Sequence, residues 1–229
     1  MITEMALKIG NRERAFHSYE HKFGSNPNLV SGTQTIWTQG GSYPWNAFNT
    51  AGPLTLQSTN ALDIFDVRIY GLDSNWELQE EVITLTGTTP VVTTKSWKRV
   101  YRGVAYQTNA GTITASIAGS VVLHIEEGKG QTLMCVYTVP SGYRAFGVQF
   151  TVGVGKGGDA EFQMFTRNND AQTEAFRVRA QLELYESTFT QTYAVPVLLK
   201  ERTDIDLKAV TSGNNFPATG SFDLILHKV

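Results

Sequence analysis

The sequence predicts an all-β chain, with two antiparallel β-sandwich or jelly-roll-like modules behind an N-terminal arm. Three observations predict it. Residues 176–185 read F-R-V-R-A-Q-L-E-L-Y, with Phe176, Val178, Ala180, Leu182 and Leu184 on one side and Arg177, Arg179, Gln181 and Glu183 on the other. Successive strand side chains point to opposite faces, so a period of two gives one dry face and one wet face. The same rhythm returns in residues 205–209 and 222–224. Short runs of this kind follow one another at intervals of about 8–12 residues with turn residues between them, which suits a sandwich or barrel. No helical run separates them, as parallel βαβ units would require.

The elements follow in order. Ile2, Met5, Ile9, Phe16, Tyr19 and Phe23 recur at steps of three, four or seven, close to an amphipathic helical stripe. Residues 1–23 therefore read as an arm, partly helical, whose apolar stripe needs a neighbour to cover it. Gly10 weakens such a helix by about 1 kcal/mol. Residues 24–28 read as a turn-rich break, and 33–37 as a short strand. Residues 40–45, G-G-S-Y-P-W, read as an irregular loop. Expected strands then cover 54–58, 66–70, 76–85, 97–106, 112–117 and 121–125. Residues 126–130, E-E-G-K-G, are polar and flexible in character and mark the expected boundary. The first module is thus 24–126 and the second 131–229. The second has expected strands at 132–139, 143–154, 161–166, 174–186, 188–195, 204–210 and 221–229. Pro140, Pro196 and Pro217 sit at the edges of these runs.

Composition narrows the function. Charged residues make up 17% of the chain, against about 25% in average domains. The net charge of −2 gives no basic excess of the kind nucleic acid attracts. Lys95, Lys98, Arg99 and Arg102 form a local basic cluster, read as the wet face of a strand. The single cysteine, Cys135, lies in an apolar run and reads as a small buried hydrophobe. Residues 1–10 lack the apolar core of a signal peptide, and no run reaches the ~20 apolar residues of a membrane span. The expectation is a soluble protein made inside a cell.

Chemical motifs are weak. His17, Glu20 and His21 spell H-x-x-E-H, which on a helix would set two zinc ligands one turn apart beside a base. Such a site also needs a further carboxylate on a second helix, and the sequence offers none. Residues 153–158, G-V-G-K-G-G, lack the hydroxyl after the lysine that a phosphate loop requires, and read as a hairpin turn or bulge. His124 reads as a wet-face residue. Glu80 with Glu81, Glu126 with Glu127, and Asp204 with Asp206 are available acid pairs, read as surface charge. Asp204 and Asp206 would share a strand face beside Lys208. No catalytic, metal or cofactor set emerges, so no enzyme is expected and function falls to the surfaces. Tyr43, Trp45 and Phe48 either stack on a sugar ring or partner, or plug the end of a sandwich.

Several segments together resemble a family of virion structural proteins of tailed bacteriophages, of the cyanophage and marine-phage type. They are I-W-T-Q-G-G-S-Y-P-W at 36–45, Y-G-L-D-S-N at 70–75 and L-T-G-T-T-P at 85–90. In the second half they are Q-T-L-M-C-V-Y-T-V-P-S-G-Y at 131–143 and K-E-R-T-D-I-D at 200–206. The resemblance spans residues 32–229 and rests on structural punctuation. It implies a non-enzymatic particle component, assembled in the host cytoplasm and located in the virion. Its implied partners are other copies of itself and the major capsid protein or tail proteins; charge and hydropathy add the expectation of no nucleic acid and no membrane. A capsid decoration or cement role is the first expectation. A tail role (fibre, baseplate or neck) and a glycan-binding module built on Tyr43 and Trp45 are the alternatives. The expected contact residues are Ile2, Met5, Ile9, Phe16, Tyr19, Phe23, Tyr43 and Trp45.

Overall fold

The computed structural model describes residues 8–9, 16–170, 174–213 and 215–229. Its strands are β1 (His17–Leu29), β2 (Gly32–Thr35), β3 (Thr55–Ser58), β4 (Asp66–Leu72), β5 (Leu78–Thr84), β6 (Val91–Val92), β7 (Arg99–Ala105) and β8 (Ile113–Ile117). They continue as β9 (Ser120–Ile125), β10 (Val136–Thr138), β11 (Tyr143–Val154), β12 (Asp159–Asn168), β13 (Arg177–Tyr185), β14 (Thr188–Leu199), β15 (Thr203–Thr211) and β16 (Phe216–Lys228). A single 3₁₀ turn, Trp45–Phe48, interrupts them among the described residues. The all-β expectation holds, and every strand pairing is antiparallel.

One sheet runs β1-β16-β11-β14 and a second runs β10-β15-β12-β13. Strand β2 also pairs with β15, and it does so on the same edge as β10. Thr35 is opposite Lys208, and Val136 is opposite Asp206. β2 and β10 are therefore one interrupted strand. The break is bridged by Ile36 N to Leu207 O at 2.9 Å, Cys135 N to Ile36 O at 2.9 Å and Leu207 N to Cys135 O at 3.1 Å. Counted that way, eight strands form two sheets of four with the first beside the last, which is the jelly-roll arrangement. Their facing sides bury Leu29, Tyr137, Phe150, Phe162, Leu207, Phe222 and Leu224.

The interruption is the rest of the chain. Between Trp37 and Met134, which form an antiparallel bridge, a second sandwich is inserted. Its sheets are β6-β3-β8-β9 and β5-β4-β7. Its core holds Trp97, Leu54, Leu56, Ile69, Ile113 and Leu123, with Trp37, Tyr43, Trp45 and Phe48 filling the end nearest the jelly roll.

The N-terminal region departs from expectation. Residues 17–29 are neither helical nor a turn-rich break but a long strand beside β16, running from His17 opposite His227 to Leu29 opposite Phe216. Residues 24–35, expected in the first module, thus lie in the sheets of the second. The strand hides because its inward positions, Ser18, Glu20, Lys22, Gly24 and Asn26, are polar or small. A Cβ on Gly24 would lie 2.5 Å from Ile36 O and 2.8 Å from Cys135 N. Only glycine lets β1 pass over the point where the inserted sandwich enters and leaves.

Two smaller expectations also change. Residues 153–158 join β11 in one sheet to β12 in the other, so they form a corner and not a hairpin. Pro196 lies inside β14 rather than at its end, where β14 leaves register with β11 between Gly147 and Gln149. β14 is an edge strand, the position at which proline's missing N–H is tolerated.

Candidate interaction surface

The expected contact residues scatter. Ile2 and Met5 lie outside the described residues. Ile9 is buried and lines a cleft of about 440 Å³ between β1 and the inserted sandwich, with Ser18, Glu20, Tyr70, Tyr101 and Tyr137. Tyr43 and Trp45 are buried as well, which removes them as a sugar platform. The Tyr43 ring meets Trp45 edge-on at 4.9 Å and Trp37 at 5.2 Å, and its hydroxyl donates to Val100 O at 2.9 Å. These aromatics plug the end of the inserted sandwich.

Phe16, Tyr19 and Phe23 are exposed, on or beside the outer face of β1-β16-β11-β14. Register places Tyr19 beside Ile225, Ile225 beside Phe146, and Phe146 beside Leu198. An apolar row therefore crosses all four strands. Its end residues are 49% (Tyr19) and 52% (Leu198) exposed, while Ile225 and Phe146 belong to neither core. On one side of the row lie His17, His227 and Arg144. On the other lie His21, Asp223 and Gln149. Asp223 accepts from Tyr19 Oη at 2.6 Å and pairs with His21 Nδ1 at 2.5 Å.

The H-x-x-E-H pattern dissolves on the strand. His17 and His21 face outward and Glu20 faces inward, where it takes Arg102 Nη2 at 2.8 Å. Among the described residues, no group of three or more His, Cys, Asp or Glu side chains is placed to hold a metal ion. At the glycine corner, Gly157 N already donates to Glu186 Oε1 at 2.6 Å. His124 is half-buried beside Thr38 Oγ1 at 2.8 Å, and burial lowers its pKa. Cys135 is buried and unpaired, as expected, with Sγ 3.0 Å from Gly220 O. No helix among the described residues is long and apolar enough to cross a membrane.

The largest correction concerns charge. Asp204 and Asp206, expected at the surface, are both 0% exposed. They lie between the two sandwiches. Asp204 accepts from Arg99 Nε and Nη2, both at 2.9 Å, from Arg167 Nη2 at 2.7 Å, from Thr138 Oγ1 at 2.7 Å and from Asn169 Nδ2 at 3.0 Å. Arg99 comes from the inserted sandwich and lies over the Trp76 ring at 4.7 Å, so the expected surface basic cluster is partly an interior one. Arg102 reaches β1, and Lys98 Nζ donates to Asn49 O at 3.0 Å. Asp206 accepts from Trp45 Nε1 at 2.8 Å and Thr35 Oγ1 at 2.9 Å, with Lys208 Nζ at 3.5 Å.

The two carboxylates differ. Burial pushes the Asp204 carboxyl up, but the Arg99 and Arg167 charges and their hydrogen bonds outweigh it and hold it below the usual range. At Asp206 burial wins over Lys208 and the neutral donors, and its pKa rises. The neutral isostere Asp206→Asn keeps an acceptor for Trp45 and sheds the buried charge. It is expected to cost no more than about 1 kcal/mol in urea denaturation.

No family model matches the chain, and no curated protein sequence matches it. Among solved structures, the chain is similar to the Gx strain of infectious bursal disease virus, with a TM-score of 0.28, 10% identity, and 93% of this chain and 72% of that chain covered. It is also similar to the VP2 subviral particle of infectious bursal disease virus, with a TM-score of 0.27, 12% identity, and coverage of 93% and 72%. Scores this low do not establish a shared fold, and the jelly-roll assignment rests on strand order.

Proposed function

We propose that this chain is a non-enzymatic structural component of a tailed-phage virion, in the role of a capsid decoration or cement protein. The observation that carries the reading is the uncovered apolar row Tyr19-Ile225-Phe146-Leu198 on a broad, regular sheet face. A large exposed apolar patch marks a contact site more often than an accident. The sequence resemblance over residues 32–229 supports it. So does the burial of Asp204 and Asp206 in a hydrogen-bonded seam between the sandwiches, a use of acids that stiffens a body. The partners in this reading are further copies of the chain and the shell proteins they coat, and the location is the assembled particle.

Cryo-EM of purified particles tests it. The expected result is density for the two stacked sandwiches at symmetric positions over the head. Density at one vertex or along the tail would shift the role to a tail component, and absence from particles would refute the reading. Because residues 17–23 belong to β1, the arm must be tested upstream of it. The double substitution Ile2→Asp, Met5→Asp is expected to lower occupancy on stripped capsids while the thermal melt stays unchanged. Unchanged occupancy removes the arm from the contact.

A further inference from the structure

The outer face of β1-β16-β11-β14 has a property beyond being apolar. Its polar flanks are unlike each other. Arg144 and His227 lie on one side of the Tyr19-Ile225-Phe146-Leu198 row, and Asp223 and Gln149 lie on the other. Consider a second copy laid face to face, with a twofold axis in the contact plane along that row. The row then meets itself, Ile225 on Ile225 and Phe146 on Phe146. The axis exchanges the flanks, so His227 of each copy faces Asp223 of the other. Arg144 is offset by one strand, about 4.8 Å along the row, from Asp223 of the second copy, and across the roughly 10 Å between packed sheets its long side chain can reach that carboxylate. Asp223 of each copy meets the basic side of its mate, and on β1 His21 of each copy meets His17 of the other, the reciprocal pairing an isologous contact makes. A twofold axis along the strands would instead keep each flank on its own side and set Arg144 against His227. Asp223 still has acceptor capacity beyond Tyr19 and His21, since a carboxylate offers about four lone-pair sites.

The area also fits. Four strands about 4.8 Å apart and eleven paired residues of about 3.4 Å each outline roughly 700 Å². Stable interfaces bury about 800 Å² per partner. Packed sheets of this kind align within about 30° of each other.

We propose that this face is a homodimer interface, its occupant a second copy of this chain, held by the apolar row and by reciprocal Arg144/His227–Asp223 contacts. The proposal deepens the structural-component reading, but its test needs no particle, so each can fail alone. Sedimentation equilibrium of the purified full chain is expected to give a dimer. Ile225→Glu with Leu198→Glu, both on the outer face, is expected to raise the dimer Kd by about 100-fold or more.

Charge reversal supplies a second test that does not depend on packing. Arg144→Glu alone and Asp223→Lys alone should each behave as monomers, because like charges then meet twice. A 1:1 mixture of the two should form a heterodimer, because the reversed charge at 144 in one chain then meets the reversed charge at 223 in the other while the second Arg144–Asp223 contact is kept. A wild-type chain that stays monomeric to ~100 μM overturns the proposal, since that marks an affinity weaker than about 5 kcal/mol. So does a dimer indifferent to the reversals, which would place a self-contact elsewhere, or a mixture that fails to associate.

Discussion

Asp204→Ala is expected to lower the stability of the folded chain by about 3–5 kcal/mol, the cost of breaking a buried ion pair from one side. The loss is not simply that of six hydrogen bonds. Arg99, 3% exposed, would remain between two sandwiches with its charge uncompensated, and Arg167 would lose its carboxylate. Neither guanidinium can shed its proton, because arginine stays charged at any accessible pH. Against a total stability of about 5–15 kcal/mol, the change approaches unfolding. Urea denaturation monitored by tryptophan fluorescence is a direct measure, because Trp45 and Trp76 lie against Arg99. A loss below about 1 kcal/mol would mean that water reaches the seam and screens the arginines.

The same carboxylate sets an acid limit. Its folded pKa is held below the ordinary value, so its contribution is complete above the unfolded pKa of about 3.9 and fades as pH falls through the lower folded value. Asp206, whose pKa is raised, works in the opposite sense. Its contribution is present below the unfolded value and lost as pH rises through the folded one. The two acids lie two residues apart on one face of β15, yet environment gives them opposite linkage.

That contrast explains how far the sequence could be read. The strands of the jelly roll were legible wherever alternation set apolar side chains against polar ones. Residues 143–154 were expected and observed as β11, and residues 174–186 contain β13. β15 was legible as a strand, but its polar face was not legible as an interior. D-x-D-x-K beside I-x-L-x-A looks like a wet face and a dry one. Only the sandwich inserted between β2 and β10 makes the wet face an inside one, and that insertion is a long-range fact with no local period. β1 failed for the reverse reason. Its aromatic residues Tyr19 and Phe23 point out, while Glu20 and Lys22 point in, so a pattern based on burial assigns the wrong face. Steps of three and four between Phe16, Tyr19 and Phe23 then imitate a helix. The seam and the outer face together account for these errors, since each inverts the rule that apolar is inside.

Lys22 carries the second large effect. The residue is 3% exposed and its ammonium donates to Tyr101 O. That carbonyl belongs to a bulge, since β4 and β7 pair Tyr70 with Arg102 and Gly71 with Val100, leaving Tyr101 without a counterpart. Lysine at this point of β1 thus satisfies an acceptor that the sheet of the inserted sandwich orphans. The nearest acid, Glu20, is taken by Arg102. Burial, the dominant influence, lowers the Lys22 pKa from 10.5 to about 8. The unfolded chain therefore binds more protons between these two values, and stability should rise with pH across that window. Between pH 8 and pH 10 the gain expected from this residue is about 2 kcal/mol, at about 1.4 kcal/mol per pH unit in the steep region. Above pH 10 the buried Tyr43, Tyr101 and Tyr137, which burial holds protonated, begin to offset it as unfolded tyrosines ionise. Lys22→Met keeps the side-chain volume and removes the titration. It should flatten the profile from pH 8 to 10. At pH 7 its net effect is small, because relief of the buried charge, about 3 kcal/mol, is set against about 1–3 kcal/mol for the orphaned carbonyl. A wild-type profile as flat as the variant's would show that the ammonium reaches water and that β1 does not close over the bulge.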